Sequence, residues 1–114
     1  METFVGENVM TEPRIHIPRD RIIEFCQRWK ITEFSLFGSV LRDDFRPDSD
    51  VDVLISFAPD AAWTLLDHVD MQDELQTIFG RSVDLVSRKG IERSRNEVRR
   101  KAILESAEIF YEAA

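Results

Sequence analysis

The run Val51-Asp52-Val53-Leu54-Ile55-Ser56-Phe57 limits the possible fold more than any other stretch of this chain. Its β-branched and aromatic residues read as a strand, with Val51, Val53, Ile55 and Phe57 on one face and Asp50, Asp52, Leu54 and Ser56 on the other. A strand with apolar residues on both faces belongs inside a sheet. Two carboxylates at its mouth are then costly unless they are paired or meet a cation. The chain therefore has to supply either a counter-charge or a metal at one end of its sheet.

At 114 residues the chain forms one domain, with no room for a separate substrate domain. Its net charge of −7 argues against a protein that grips nucleic acid through phosphates, so no direct nucleic-acid binding is expected. The cations are nevertheless uneven: Arg81, Arg88, Lys89, Arg93, Arg95, Arg99, Arg100 and Lys101 crowd one late segment. That segment reads either as a surface for a phosphate-bearing ligand or acidic protein, or as a solvated helix face. The single cysteine, Cys26, excludes an internal disulfide and a thiolate metal cluster, and its apolar surroundings make it a core residue. No apolar run reaches the ~18 residues of a membrane span, and the N-terminus lacks a signal-peptide pattern. A cytoplasmic protein without a membrane partner is expected.

Residues 1–16 show no period and read as a flexible extension preceding a domain over 17–114. Ile22, Phe25, Cys26 and Trp29 have helical spacing, with Pro18 suited to the first turn. Ile31-Thr32-Glu33-Phe34-Ser35-Leu36-Phe37-Gly38 reads as a strand running into a tight turn, and residues 39–45 as about two helical turns. A helix is expected over 64–79, stopped by Gly80, then a strand around Asp84 and a Lys-Gly turn. Ser94 and Glu97 suggest a capping box for a final helix with Val98, Ala102, Ile103, Ala107, Phe110 and Tyr111 as its apolar stripe. This order gives an α/β (α+β) fold: a small mixed sheet flanked by helices.

Residues two apart on a strand share a face, so Asp50 and Asp52 converge, and Asp84 completes a three-carboxylate cup if its strand lies alongside in register. Hard oxygens at this spacing suit a pair of magnesium or manganese ions. At the other end of the motif, a strand, Gly38 and then a helix beginning at Ser39 would aim backbone N–H groups at phosphate oxygens. His16 and His68 lack a third ligand and read as surface or core residues. Trp29, Trp63 and Phe79 read as core. Arg46, Arg88 and Lys89 could reach phosphates, though surface solubility explains them equally well.

Gly38-Ser39, ten residues, Asp50-Val51-Asp52 and later Asp84 resemble the signature of the polymerase-beta-type nucleotidyltransferase superfamily. More narrowly, residues 36–57 resemble the minimal nucleotidyltransferases that serve as antitoxins of HEPN/MNT toxin–antitoxin pairs. The resemblance implies a polymerase-beta-like nucleotidyltransferase fold, ATP as donor, two Mg²⁺ ions (with Mn²⁺ as substitute), and AMP transfer to a hydroxyl with loss of pyrophosphate. By position, Asp50 and Asp52 match the acids that bridge the metals, and Asp84 the acid near the attacking hydroxyl. Gly38 and Ser39 match the triphosphate-binding pair, and Arg42 and Ser49 fall in the same nucleotide-binding stretch. Asp43 departs from the pattern, since many relatives carry Gly there. The implied partner is a HEPN-domain toxin whose tyrosine hydroxyl accepts AMP. Two other functions fit less of the pattern: an antitoxin that neutralises by binding alone, and transfer to a small molecule.

Overall fold

The computed structural model describes residues 17–41, 46 and 49–113. Helix α1 (Arg19–Arg28) leads into strand β1 (Ile31–Phe37), a 3-10 turn (Gly38–Leu41) and strand β2 (Val51–Phe57). Helix α2 (Leu65–Phe79), strand β3 (Val83–Ser87), helices α3 (Arg88–Glu92) and α4 (Glu97–Ser106) and strand β4 (Glu108–Glu112) complete the chain. The four strands form one sheet in the order β3-β2-β1-β4. β2 runs parallel to β3, whereas β1 is antiparallel to both β2 and β4. This is the mixed sheet flanked by helices that the sequence predicts.

Burial on both sides explains the composition of β2. Val51, Val53 and Ile55 join Phe34, Leu36, Val83 and Leu85 in a core closed by Ile22, Phe25 and Cys26 of α1 and Met71 and Leu75 of α2. Leu54, on the opposite face, packs with Phe37, Ile91 of α3 and Ile103 of α4. Trp29, Trp63 and Phe79 pack against the larger core, as expected. Helix α2 is well delimited. Thr64 and Asp67 form a reciprocal capping box, and Gly80 ends the helix in the left-handed region at φ 70°.

Four local expectations are corrected. Of the two-turn helix expected over 39–45, the described part belongs to a 3-10 turn (Gly38–Leu41), and residues 42–45 lie outside the described residues, as do the 1–16 extension and His16. Pro18 is the N-cap of α1 and not its first-turn residue. The Lys-Gly turn is part of α3, whose first turn is capped by the Ser87 hydroxyl accepting from the Gly90 N–H at 3.0 Å. The last helix is shorter than its stripe suggests. α4 starts after Asn96, whose side chain accepts from the Arg99 N–H, and it ends at Ser106. Residues 108–112 instead pair with β1, covering an edge that would otherwise present unpaired N–H and C=O groups. Consequently Phe110 and Tyr111 pack against the larger core from a strand, while Val98 is 80% exposed.

Candidate functional site

Asp52 is the second residue of β2, and its register partner on β3 is Asp84. Neighbouring strands lie ~4.8 Å apart, so the two carboxylates rise side by side from one face of the sheet. Asp50 lies two residues before Asp52, just outside β2, and is exposed. The parallel pairing thus puts Asp52 and Asp84 in the expected register, but among the described residues it does not gather all three acids into one cup. Like charges directly opposite one another repel, so this placement is unfavourable for stability alone.

Across β1, Asp52 pairs with Phe37, which brings the following Gly38 against its side chain. Gly38 has φ +77°, and a Cβ at that position would collide with the Asp52 carboxylate, whose Cγ would lie only 3.2 Å away. Glycine is therefore demanded twice, by backbone conformation and by space. Ser39 follows in the 3-10 turn, half-buried. A turn of four residues carries little of the macrodipole expected from a helix, so it offers the N–H groups of a tight turn and the Ser39 hydroxyl.

Ser49 braces the approach to Asp50. Its hydroxyl accepts from the Arg46 N–H, its own N–H donates to the Arg46 carbonyl (both 3.0 Å), and Arg81 donates to the Ser49 carbonyl at 3.2 Å. Arg42 and Asp43 lie outside the described residues. Arg88 follows the far end of β3 from Asp84 and forms an ion pair with Glu33 at 2.9 Å. His68 is half-buried, with Nε2 placed 3.0 Å from the Leu85 carbonyl. An open hollow of about 350 Å³, lined by Ile55, Phe57, Trp63, Ser87 and Glu92 among others, lies at the opposite end of β2 and β3 from the acids.

Sequence reasoning missed the roles of Arg81 and Arg99. Arg99 Nη2 lies 4.0 Å from Asp84 Oδ2. Both residues were visible only as members of a basic run, because their partners are distant along the chain.

The acids fit a divalent cation through the chemistry of their donors. Among the described residues no three His, Cys, Asp or Glu side chains are gathered into a metal cage. Magnesium does not need one, since it commonly takes one or two carboxylates and completes its shell with phosphate oxygens and water. Asp52 and Asp84, adjacent and composed of hard oxygens, suit that mode.

Residues 20–110 match the family model of the nucleotidyltransferase domain. The chain belongs to this nucleotidyltransferase family. It is 32% identical over 68 residues to the protein adenylyltransferase MntA of Thermococcus cleftensis, a match covering 60% of this chain and 67% of that relative. Among solved structures it is similar to a minimal nucleotidyltransferase at 33% identity and TM-score 0.61, covering 79% of this chain and 86% of the other. A toxin–antitoxin structure with AMP-PNP shares the fold at TM-score 0.66 and 19% identity, over 85% of this chain and 75% of the other. The enzyme class and the minimal-nucleotidyltransferase likeness are those to which the Gly-Ser and Asp-x-Asp motif points. No helix among the described residues is long and apolar enough to cross a membrane.

Proposed function

We propose that this nucleotidyltransferase is the antitoxin of a HEPN-domain toxin and transfers AMP from ATP to a tyrosine hydroxyl of that partner in the cytoplasm. The observation that carries the reading is the seating of the Asp52 carboxylate between Gly38 and its register partner Asp84. Relatives add support. One solved complex, of the same fold at 20% identity and TM-score 0.58, is described as a tri-AMPylated Shewanella oneidensis HEPN toxin with its MNT antitoxin.

In this mechanism Gly38 and Ser39 receive the triphosphate, the glycine by allowing close approach and the serine by donating its hydroxyl hydrogen. Ser49 holds the chain into Asp50, and Arg42 is assigned to the triphosphate by its place in the motif. Asp50, Asp52 and Asp84 would hold two Mg²⁺ ions. Bound there, these ions would neutralise charge on the α-phosphate and favour the ionised acceptor hydroxyl. Asp84 lies on the acceptor side. The acceptor oxygen attacks the α-phosphorus, the bond to the bridging oxygen breaks, and pyrophosphate leaves while the hydroxyl proton passes to solvent. The chain has one tyrosine, Tyr111, and it is packed in β4, so the acceptor comes from another polypeptide.

The reading is tested by incubating the chain with Mg²⁺, its HEPN-domain partner and ATP labelled at either the α or γ phosphate. Only α-label should enter the partner, with Asp50→Ala abolishing transfer. A stable complex that neutralises the toxin without any transfer would instead support an antitoxin that acts by binding alone.

A further inference from the structure

Two of the late cations are adjacent on α4 and have different placements. Arg100 is committed locally, donating to the Ser94 carbonyl at 2.8 Å and lying 3.8 Å from Glu97. Arg99 instead reaches across to the sheet, where Nη2 lies 4.0 Å from Asp84 Oδ2. The helix beneath it is anchored. Ile103, one turn further along the same face, is buried with Leu54 and Phe37, and Val86, two residues beyond Asp84 on β3, packs against that cluster. The guanidinium itself is not anchored. The Arg99 and Asp84 side chains are 47% and 46% exposed, and an ion pair so open to water is weak.

We propose that Arg99 is a positioning residue that competes with the metal. In the metal-free chain its guanidinium lies against Asp84 and offsets the repulsion between Asp84 and Asp52, and it gives way when a divalent ion takes that carboxylate. This rests on the metal reading of the site given above. A guanidinium and a divalent ion repel one another, so both cannot keep the same side of one carboxylate without cost. The weakness of the pair is what permits exchange. Once displaced, Arg99 remains beside the site with a planar fork of donors suited to phosphate oxygens, so triphosphate and metal favour the same movement. Metal without nucleotide should therefore bind less tightly than the carboxylates alone allow.

The test is a Mn²⁺ titration without nucleotide, at low salt, read by calorimetry and by the electron paramagnetic resonance signal of free Mn²⁺. Arg99→Met should tighten Mn²⁺ binding by about threefold to tenfold, because Asp84 no longer has to leave a guanidinium before it takes the ion. Arg99→Lys, which keeps the charge, should remain near the wild type, and Asp84→Asn should erase the gain from Arg99→Met. Adding AMP-PNP should raise Mn²⁺ affinity more in the wild type than in Arg99→Met. The proposal is overturned if Arg99→Met binds Mn²⁺ as the wild type does, or if its gain survives in the Asp84→Asn background. Should Asp52→Asn and Asp84→Asn both leave Mn²⁺ binding intact, the metal lies elsewhere, and the reading of the site falls with the proposal. Loss of binding in those two variants with no effect of Arg99→Met overturns the competition alone.

Discussion

Gly38 carries the strongest constraint of any single residue. Replacing it with alanine places a side chain in the left-handed region, at about 1–2 kcal/mol, and pushes the new Cβ into the Asp52 carboxylate. Gly38→Ala should lower the midpoint of thermal unfolding by several degrees and also weaken nucleotide binding, whereas Gly80→Ala, with no atom within 4 Å of the added Cβ, should lower stability only. Asp52→Asn should separate chemistry from folding: transfer is lost while the metal-free chain melts at the same temperature or higher, since one of two facing charges is removed. A melt lowered by more than a few degrees would make Asp52 a structural residue. Cys26 is fully buried, and burial pushes its thiol up to about 12. Iodoacetamide should therefore label Cys26 through opening of the fold, and urea should accelerate labelling in step with the loss of structure. Gly38, Asp52 and Cys26 were legible from the local patterns in which each stands, a strand-to-turn junction, a strand mouth and a helical stripe. Arg81 and Arg99 were not, because their roles come from contacts across the sheet.

At the scale of elements, α1 and α2 are joined by one polar clamp. Both guanidinium nitrogens of Arg28 reach Glu74, at 2.6 and 2.8 Å, and the Trp29 indole N–H donates to the same carboxylate at 3.1 Å. The Arg28 hydrogen bond, helped by Trp29 and opposed by partial burial, holds the Glu74 carboxyl below the usual glutamate range. A lowered folded-state value means stability that is present at neutral pH and lost as pH falls through the ordinary glutamate value of about 4.3 and below. Glu74→Gln should therefore cost about 1 kcal/mol at pH 7 in urea unfolding, and the difference from wild type should shrink as pH is taken below the ordinary glutamate range. A constant difference across that range would show that the clamp acts through packing. Legibility at this scale followed local signals: α2 has both a cap and a stop, and β2 is a short run of β-branched and apolar residues on both faces. The boundary between α4 and β4 was hidden, because residues 107–111 satisfy a helical stripe as well as a strand, and only the open edge of β1 decides between them.

In the whole molecule, charge is segregated. Residues 88–101 hold seven of the fifteen Lys and Arg residues but only Glu92 and Glu97 among the twenty-two acids, which leaves the rest of the chain strongly acidic. That basic segment forms α3 and the first half of α4, over the same sheet face as Asp52 and Asp84. A surface built in this way suits anions brought to the carboxylates. Sequence order revealed the basic run but not the face it covers, since that depends on Ile91 and Ile103 packing onto Leu54 and Phe37. Anomalous diffraction from crystals grown with Mn²⁺ and AMP-PNP would locate metal and nucleotide together. Two peaks about 3.5–4 Å apart are expected, ligated by Asp50, Asp52 and Asp84, with the triphosphate against Gly38 and Ser39. Manganese bound away from these three carboxylates, or a nucleotide seated in the hollow beside Trp63, would contradict this assignment.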